Sequence, residues 1–264
     1  MTLAMEDLAV IKLGGTSVAG EAALLADVAA VARSRLIVVV HGGGVRLTEW
    51  LDRLNVETRF ERGLRVTDER TVEVATAVLA GLLNTEIVAR LRTHGLDAAG
   101  LSGVDGGLLQ GERVAGLGRV VHVTKIRREF LARLLEGGIV PVVAPIGLDQ
   151  EGIICNVNAD DAAAGLAAGL GARRLVLLTD VDGVRGDAGE RMSTLTADEA
   201  RALIDRGVIV GGMLPKVRAA LAALTWEEAE AVIADGMAPR AVQRALAEED
   251  FGTRFRLAGR QAGE

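Results

Sequence analysis

The apolar run Val10-Ile11-Lys12-Leu13 carries one lysine and ends in Gly14-Gly15. An apolar stretch this short, closed by glycine, reads as a buried strand over 9–13 with a tight turn at its carboxyl end. A charge inside such a strand needs a reason. Only three of the 30 basic residues are lysine, namely Lys12, Lys125 and Lys216, so arginine supplies almost all of the surface charge. Lysine is a compact point charge on a flexible stem, suited to meeting a phosphoryl oxygen rather than to forking a carboxylate. Lys12 therefore marks where chemistry is expected.

From that strand onward, short β-branched runs alternate with alanine-rich helical ones. Helix 21–34, strand 36–40, the turn Gly42-Gly43-Gly44 and helix 45–54 make a βαβα start, which predicts an α/β fold with parallel strands and helices on both faces. A short hairpin is expected near 56–61, and Thr67 or Asp68 would cap the helix that follows. Helical periodicity covers 69–80 and 84–94, broken at Gly81, and 96–101 reads as a strand. Residues 103–123 read as hairpin material at the sheet edge, with a helix at 125–135 and a strand at 139–143. We take 1–148 as an amino-terminal lobe and 149–264 as a carboxyl-terminal one. The second is expected to hold strand 153–155, helix 159–169, strand 175–178, helices 197–206 and 215–224, strand 230–234, helix 239–247 and a frayed tail at 258–264. No internal repeat or low-complexity linker is visible.

Composition narrows the function. A chain of 264 residues, half of them hydrophobic, can bury a full core. Its formal net charge is −6 and its basic residues are scattered, which gives no footprint for nucleic acid or an anionic membrane. The single cysteine, Cys155, excludes an intramolecular disulfide framework, and the first residues lack the pattern of a signal peptide. No apolar run reaches the roughly 18–20 residues of a membrane span. The expectation is a soluble cytoplasmic chain whose partners are small molecules and copies of itself.

In an open parallel sheet, ligands bind beyond the carboxyl ends of the strands. Three glycine-bearing turns fall there: Gly14-Gly15, Gly42-Gly43-Gly44, and the loop from Asp180 to Val184. Glycine lets backbone N–H groups approach an anion, and a following helix N-terminus adds favourable partial charge. Neither the dinucleotide G-x-G-x-x-G spacing nor a G-x-x-x-x-G-K-[ST] loop occurs. In Asn156-Val157-Asn158-Ala159-Asp160-Asp161, either Asn158 or Asp160 would serve as a helix cap, yet four polar groups exceed what a cap requires. Asn156 and Asn158 share one side of an extended segment, so both can face a cleft. Gly211-Gly212-Met213-Leu214-Pro215-Lys216 then places a second conspicuous lysine at a helix start. Two ammonium groups would flank a transferring phosphoryl group, with Asp160 between them to keep both oriented.

Six ordered motifs, IKLGG (11–15), VVVHGGG (38–44), GLRVTD (63–68), NVNADDAA (156–163), LLTDVDGV (177–184) and GGMLPKV (211–217), span essentially the whole chain. Together they resemble the amino acid kinase family, most closely the branch that phosphorylates N-acetyl-L-glutamate. The resemblance implies a three-layer αβα sandwich around an open, mainly parallel central sheet. It implies that Lys12 and Lys216 stabilise the transition state and that Asp160 organises them. Gly43 and Gly44 would hold the N-acetylamino acid, Arg65 its α-carboxylate, and Asn156 and Asn158 would share that site. ATP would lie along Gly14, Gly15, Asp180, Val181, Asp182, Gly183, Val184, Arg185, Val208, Ile209 and Val210. Mg2+ would be held mainly by the phosphates, without a protein metal site.

A carboxylate nucleophile has a reference pKa of about 4, so it needs no general base at neutral pH. The histidines fit that: His41 reads as a core or turn residue, and His94 and His122 as surface ones. Cys155 and Lys125 read as structural. With so few aromatic residues, adenine would rest on aliphatic and backbone groups. Thr16-Ser17-Val18 and Thr179-Asp180-Val181-Asp182-Gly183 also resemble the aspartate-phosphorylating branch, but GLRVTD and NVNADD favour the acetylated substrate. A kinase acting on a carrier-linked aminoadipate or glutamate side chain is the alternative, and a non-catalytic nucleotide sensor a more distant one. With only about ten residues before the first strand, we expect a homodimer insensitive to arginine.

Overall fold

In the computed structural model, residues 7–14, 18–248 and 250–258 are described. The chain starts with β1 (Ala9–Leu13), α1 (Val18–Ala32), β2 (Ile37–His41) and α2 (Gly44–Arg53), the expected βαβα unit. A hairpin of β3 (Phe60–Glu61) and β4 (Leu64–Arg65) follows. Next come α3 (Glu69–Ala75) and α4 (Asn84–Thr93), joined without a break by a π-helical stretch, Thr76–Leu83. The first half closes with β5 (Ala98–Ser102), β6 (Leu109–Arg113), β7 (Val120–Ile126), α5 (Arg128–Glu136), β8 (Val140–Ala144) and β9 (Ile146–Leu148). The second half contains β10 (Ile154–Val157), α6 (Ala159–Leu170), β11 (Arg174–Thr179), β12 (Thr194–Thr196), α7 (Ala197–Asp205) and α8 (Met213–Ala222). It ends with β13 (Glu230–Asp235), α9 (Ala241–Ala247) and β14 (Thr253–Arg256).

Eight strands form the central sheet in the order β12-β14-β13-β11-β1-β2-β8-β5, parallel throughout except where β13 meets β14. Both faces are covered, so its strands read as continuous apolar runs rather than alternating ones. Ala9, Ile11, Ile37, Val39, Val176 and Leu178 pack under α1, α4 and α9. Their neighbours Val10, Val38, Val40, Leu175 and Leu177 face α6 and α8 instead. This is the three-layer αβα sandwich, with β1 at its centre.

Several local expectations change. Gly81 does not break its helix, because Val78, Leu79, Ile87 and Leu91 are buried on both sides of it and tertiary packing outweighs the weak propensity of one glycine. Residues 103–123 do not lie at the edge of the main sheet: β6 and β7 close with β9 and β10 into a separate small barrel. Lys125 belongs to β7 and not to a helix, which starts only at Arg128. Strands β9, β12 and β14 were not foreseen, since each is only three or four residues long and leaves little period to read. Strands β9 and β10 pair across Asp149, so both halves of the chain contribute to the barrel. The continuous helix Glu69–Thr93 is long and apolar enough to cross a membrane by length and composition. Here Ile87 and Leu91 instead pack into the core on the sheet face, and Val78 and Leu79 against α2. The turn at Gly15, the expected N-terminal segment before residue 7 and the tail beyond residue 258 lie outside the described residues.

Candidate active site

Lys12 follows Ile11 in β1, and the alternation of strand side chains turns it to the face covered by α6. There it meets the helix N-terminus. Lys12 Nζ lies 2.9 Å from Asp160 Oδ1 as an ion pair, and Lys216 Nζ donates to Asp160 Oδ2 at 3.1 Å. Lys12 is 7% exposed and Asp160 5%, so both charges sit largely outside bulk water, where Coulomb interactions are strong. Burial by itself pushes the Asp160 carboxyl up, but the ammonium groups of Lys12 and Lys216 outweigh it and hold the pKa below the ordinary aspartate value.

Capping explains how α6 comes to this point. Asn158 accepts from the Asp160 and Asp161 N–H groups at 2.9 and 3.2 Å. Asp161 fastens the same turn to β7: its carboxylate accepts from the Val123 N–H at 2.9 Å and pairs with His122 Nδ1 at 2.7 Å. Burial raises the Asp161 pKa, with the Val123 N–H and His122 opposing. Lys216 arrives from the first turn of α8, which follows the turn at Gly211-Gly212.

A cavity of ≈ 270 Å³ opens beside the two lysines. Gly43, Gly44, Arg65, Asn156, Asn158 and Asp160 all line it, together with Gly14. Gly43 has φ 138°, and a Cβ there would collide with the side chains of Leu79 and Leu83, so only glycine fits this turn. Arg65 is buried and donates to Thr48 Oγ1 at 2.8 Å, Gly44 O at 3.1 Å and Thr58 Oγ1 at 3.3 Å. Its guanidinium carbon lies 4.7 Å from the centre of the Phe60 ring. Burial lowers the Arg65 pKa, with the charge of Asp52 opposing. None of these partners is a carboxylate, which leaves the guanidinium able to take one from a ligand. Asn156 donates to Thr67 Oγ1 at 3.2 Å.

A second cavity, ≈ 510 Å³, brings together residues 180–185 and 208–210 with Met213 and Asp235. Val181, Val208, Ile209, Val210 and Met213 give it an aliphatic side suited to a base. Met213 and Lys216 stand one turn apart at the start of α8, so a single helical turn connects the two cavities. Among the lining residues that sequence reasoning missed are Asp235, Met213, Phe60 and Leu79. Asp235 had a readable signal, for it ends β13 beside Thr179 at the same sheet edge. Met213 lay inside a quoted motif, whereas Phe60 and Leu79 carried no signal of their own.

His41 is buried in the core, as expected, and burial pushes its pKa down to about 4. His122 is exposed, yet it pairs with Asp161 and so holds the α6 turn. Cys155 is a buried free thiol in β10, its pKa raised chiefly by burial.

Known proteins resemble this chain in sequence and fold. The chain is 49% identical over 251 residues to the acetylglutamate kinase of Rubrobacter xylanophilus, covering 95% of this chain and 97% of that one. It is 44% identical over 250 residues to the acetylglutamate kinase of Solibacter usitatus, covering 93% and 97%. Among solved structures, the N-acetylglutamate synthase of Neisseria gonorrhoeae, complexed with coenzyme A and N-acetyl-glutamate, superposes with a TM-score of 0.79 at 25% identity. That match covers 97% of this chain and 61% of the synthase. The sequence profile of the amino acid kinase family matches residues 7–235, and with relatives this similar over nearly the whole chain, the chain belongs to that family.

Proposed function

We propose that this chain acts as an acetylglutamate kinase, transferring the γ-phosphoryl group of ATP to the side-chain carboxylate of N-acetyl-L-glutamate in arginine biosynthesis. The observation that carries the reading is Asp160, buried between Lys12 and Lys216 at the mouth of a cavity that also holds Arg65. Relatives bearing that activity in their names match nearly end to end.

The chemistry follows from placement. The substrate's α-carboxylate pairs with Arg65, and Asn156 and Asn158 contact the same molecule. Its side-chain carboxylate, already ionised, attacks the γ-phosphorus in line as the bond to ADP breaks, giving N-acetyl-L-glutamyl 5-phosphate and ADP. Lys12 and Lys216 meet the phosphoryl oxygens, and Gly43 and Gly44 offer backbone N–H groups beside them. Asp160 keeps both ammonium groups directed at that spot, so little reorganisation is left for the moment of transfer. ATP lies along Gly14, Gly15, residues 180–185 and 208–210. Mg2+ enters with the nucleotide, held mainly by its phosphates, and offsets their charge. Residues 1–148 supply most of the amino acid site and 149–264 most of the nucleotide site.

A cytoplasmic homodimer belongs to the same reading. Strand β5 ends the central sheet with one side unpaired, and Leu82 on the long helix is exposed. Light scattering of the purified protein tests the dimer.

The activity test measures ADP release and acyl hydroxamate with MgATP and hydroxylamine, offering N-acetyl-L-glutamate, glutamate, aspartate and N-acetyl-α-aminoadipate in turn. Hydroxamate from N-acetyl-L-glutamate alone supports the proposal. Activity on aspartate alone moves the chain to the aspartate-phosphorylating branch, and silence on all four with MgADP still binding overturns the acetylated substrate in favour of a carrier-linked one or a sensor.

A further inference from the structure

The site described so far uses only one face of the sheet. On the opposite face, directly behind the glycine turn, lies a closed polar network inside an apolar core. His41 ends β2, aligned with Leu13 of β1, and is 1% exposed; Asn84 opens α4 and is 3% exposed. Asn84 Nδ2 lies 2.9 Å from Val142 O and 3.1 Å from His41 Nε2, while His41 Nδ1 lies 2.8 Å from Gly42 O.

Donor accounting leaves one arrangement. A carbonyl only accepts, so the Asn84 atom facing Val142 O is the amide nitrogen, and its second hydrogen goes to His41 Nε2. Nε2 is then an acceptor and the ring proton sits on Nδ1, where it donates to Gly42 O. Burial keeps the ring neutral, with a pKa of about 4, as that tautomer requires. The neighbouring strand is shaped to admit the amide, for a Cβ at Gly100 would collide with Asn84 Oδ1. Two polar side chains buried this deeply, bonded to each other and to the backbone at Gly42 and Val142, exceed what a core needs.

The consequence lies in the Gly42–Gly43 peptide. In a trans peptide the C=O and the following N–H point in opposite directions. Drawing Gly42 O toward His41 therefore turns the Gly43 N–H away from that face and toward the cavity side, where Lys12 and Asp160 stand. Among the described residues no group accepts from the Gly43 N–H. Leu79 and Leu83 press on Gly43 from the same helix that carries Asn84, so the turn is gripped at three points.

We infer that His41 and Asn84 are positioning residues which, from behind the sheet, aim the Gly43 N–H at the oxygens of the transferring phosphoryl group. The role in transfer rests on the kinase reading above; the hydrogen-bond arrangement does not.

The test has one arm for each. Nitrogen-15 spectra of the full chain, labelled at histidine, report the His41 tautomer directly. The expected result is a protonated Nδ1 and a bare Nε2, unchanged between pH 6 and 8; a protonated Nε2, or titration in that range, overturns the inference. Two variants then separate the bonds. His41→Asn keeps an amide nitrogen at the place of Nδ1 and so keeps the bond to Gly42, whereas His41→Gln keeps a polar group at the place of Nε2 and loses it. Turnover of N-acetyl-L-glutamate should stay within about threefold of wild type in His41→Asn and fall about 10- to 100-fold in His41→Gln, with the KM for MgATP unchanged in both. Equal losses of melting temperature with kcat untouched in both would mean a core role only and would overturn the proposal. Should His41→Gln not fold, Asn84→Leu takes its place: it must shift the His41 tautomer signal and the Gly43 amide resonance, and no movement of either refutes the coupling. If wild type is silent on every amino acid offered, the kinase reading fails, and the tautomer and the Gly43 resonance still decide this inference.

Discussion

Replacing Lys12 by methionine removes one ammonium group while keeping a flexible chain of similar length in the strand. At 2.9 Å from Asp160, a unit charge interacts with about 6 kcal/mol at an effective dielectric near 20, most of it offset by the cost of desolvating both groups. In the proposed reaction the same ammonium faces the phosphoryl oxygens, and only the part of that attraction that grows in the transition state affects rate. Removing one preorganised charge or donor of this kind costs about 2.7–4 kcal/mol, or about 100- to 1000-fold in kcat. Lys12→Met should therefore lose turnover by that factor in the hydroxamate assay, while MgADP affinity and the KM for N-acetyl-L-glutamate change by less than about threefold. Lys12→Arg should not recover it, because a wider guanidinium does not fit a buried point-charge position. Acid stability supplies an independent check. Asp160 has a folded pKa below its unfolded value, so the stability it adds is present above the unfolded pKa and is lost as pH falls through the folded one. Without Lys12, burial is opposed by Lys216 alone, the folded pKa rises, and acid unfolding should begin at a higher pH. Equal losses of kcat and nucleotide affinity, or an unchanged acid limb, would refute the account.

Arg65→Ala should raise the KM for N-acetyl-L-glutamate by about 10- to 100-fold, the worth of a charge-assisted hydrogen bond, with a smaller change in kcat; steady-state kinetics at saturating MgATP read it. Gly43→Ala places a side chain at φ 138° against Leu79 and Leu83, and should abolish turnover while calorimetry still detects MgADP, which the proposal places in the separate second cavity. Thr196 and Glu199 form a capping box at α7, remote from both cavities, so Thr196→Ala should cost about 1 kcal/mol in denaturant melts and leave kcat unaltered.

Some elements were legible because the information is local. The strand at β1, the glycine turns and the caps at Asp68 and Asn158 each depend on a few adjacent residues whose backbone preferences do not need the rest of the chain. The scarcity of lysine singled out Lys12 and Lys216, and both proved to meet one carboxylate. His41 was recognised as a core residue, but nothing near it announces Asn84, whose partnership exists only once α4 packs on the sheet. Residues 103–123 were assigned to the sheet edge and not to a barrel for a related reason: that glycine-rich stretch shows that strands occur, not which strands they join.

The amino-acid sequence by itself determined most of the longer strands and helices, where backbone could approach an anion, and which charged groups were too rare to be ornamental. The tertiary structure alone decided that Lys12, Asp160 and Lys216 converge, that Phe60 lies over Arg65, and that β6, β7, β9 and β10 close on themselves. The physical reason is that hydrophobic periodicity specifies which face of an element is buried but not against what. Partners are chosen by the mutual burial of faces far apart in the chain, and the few charged groups kept inside must then find one another at the same strand ends.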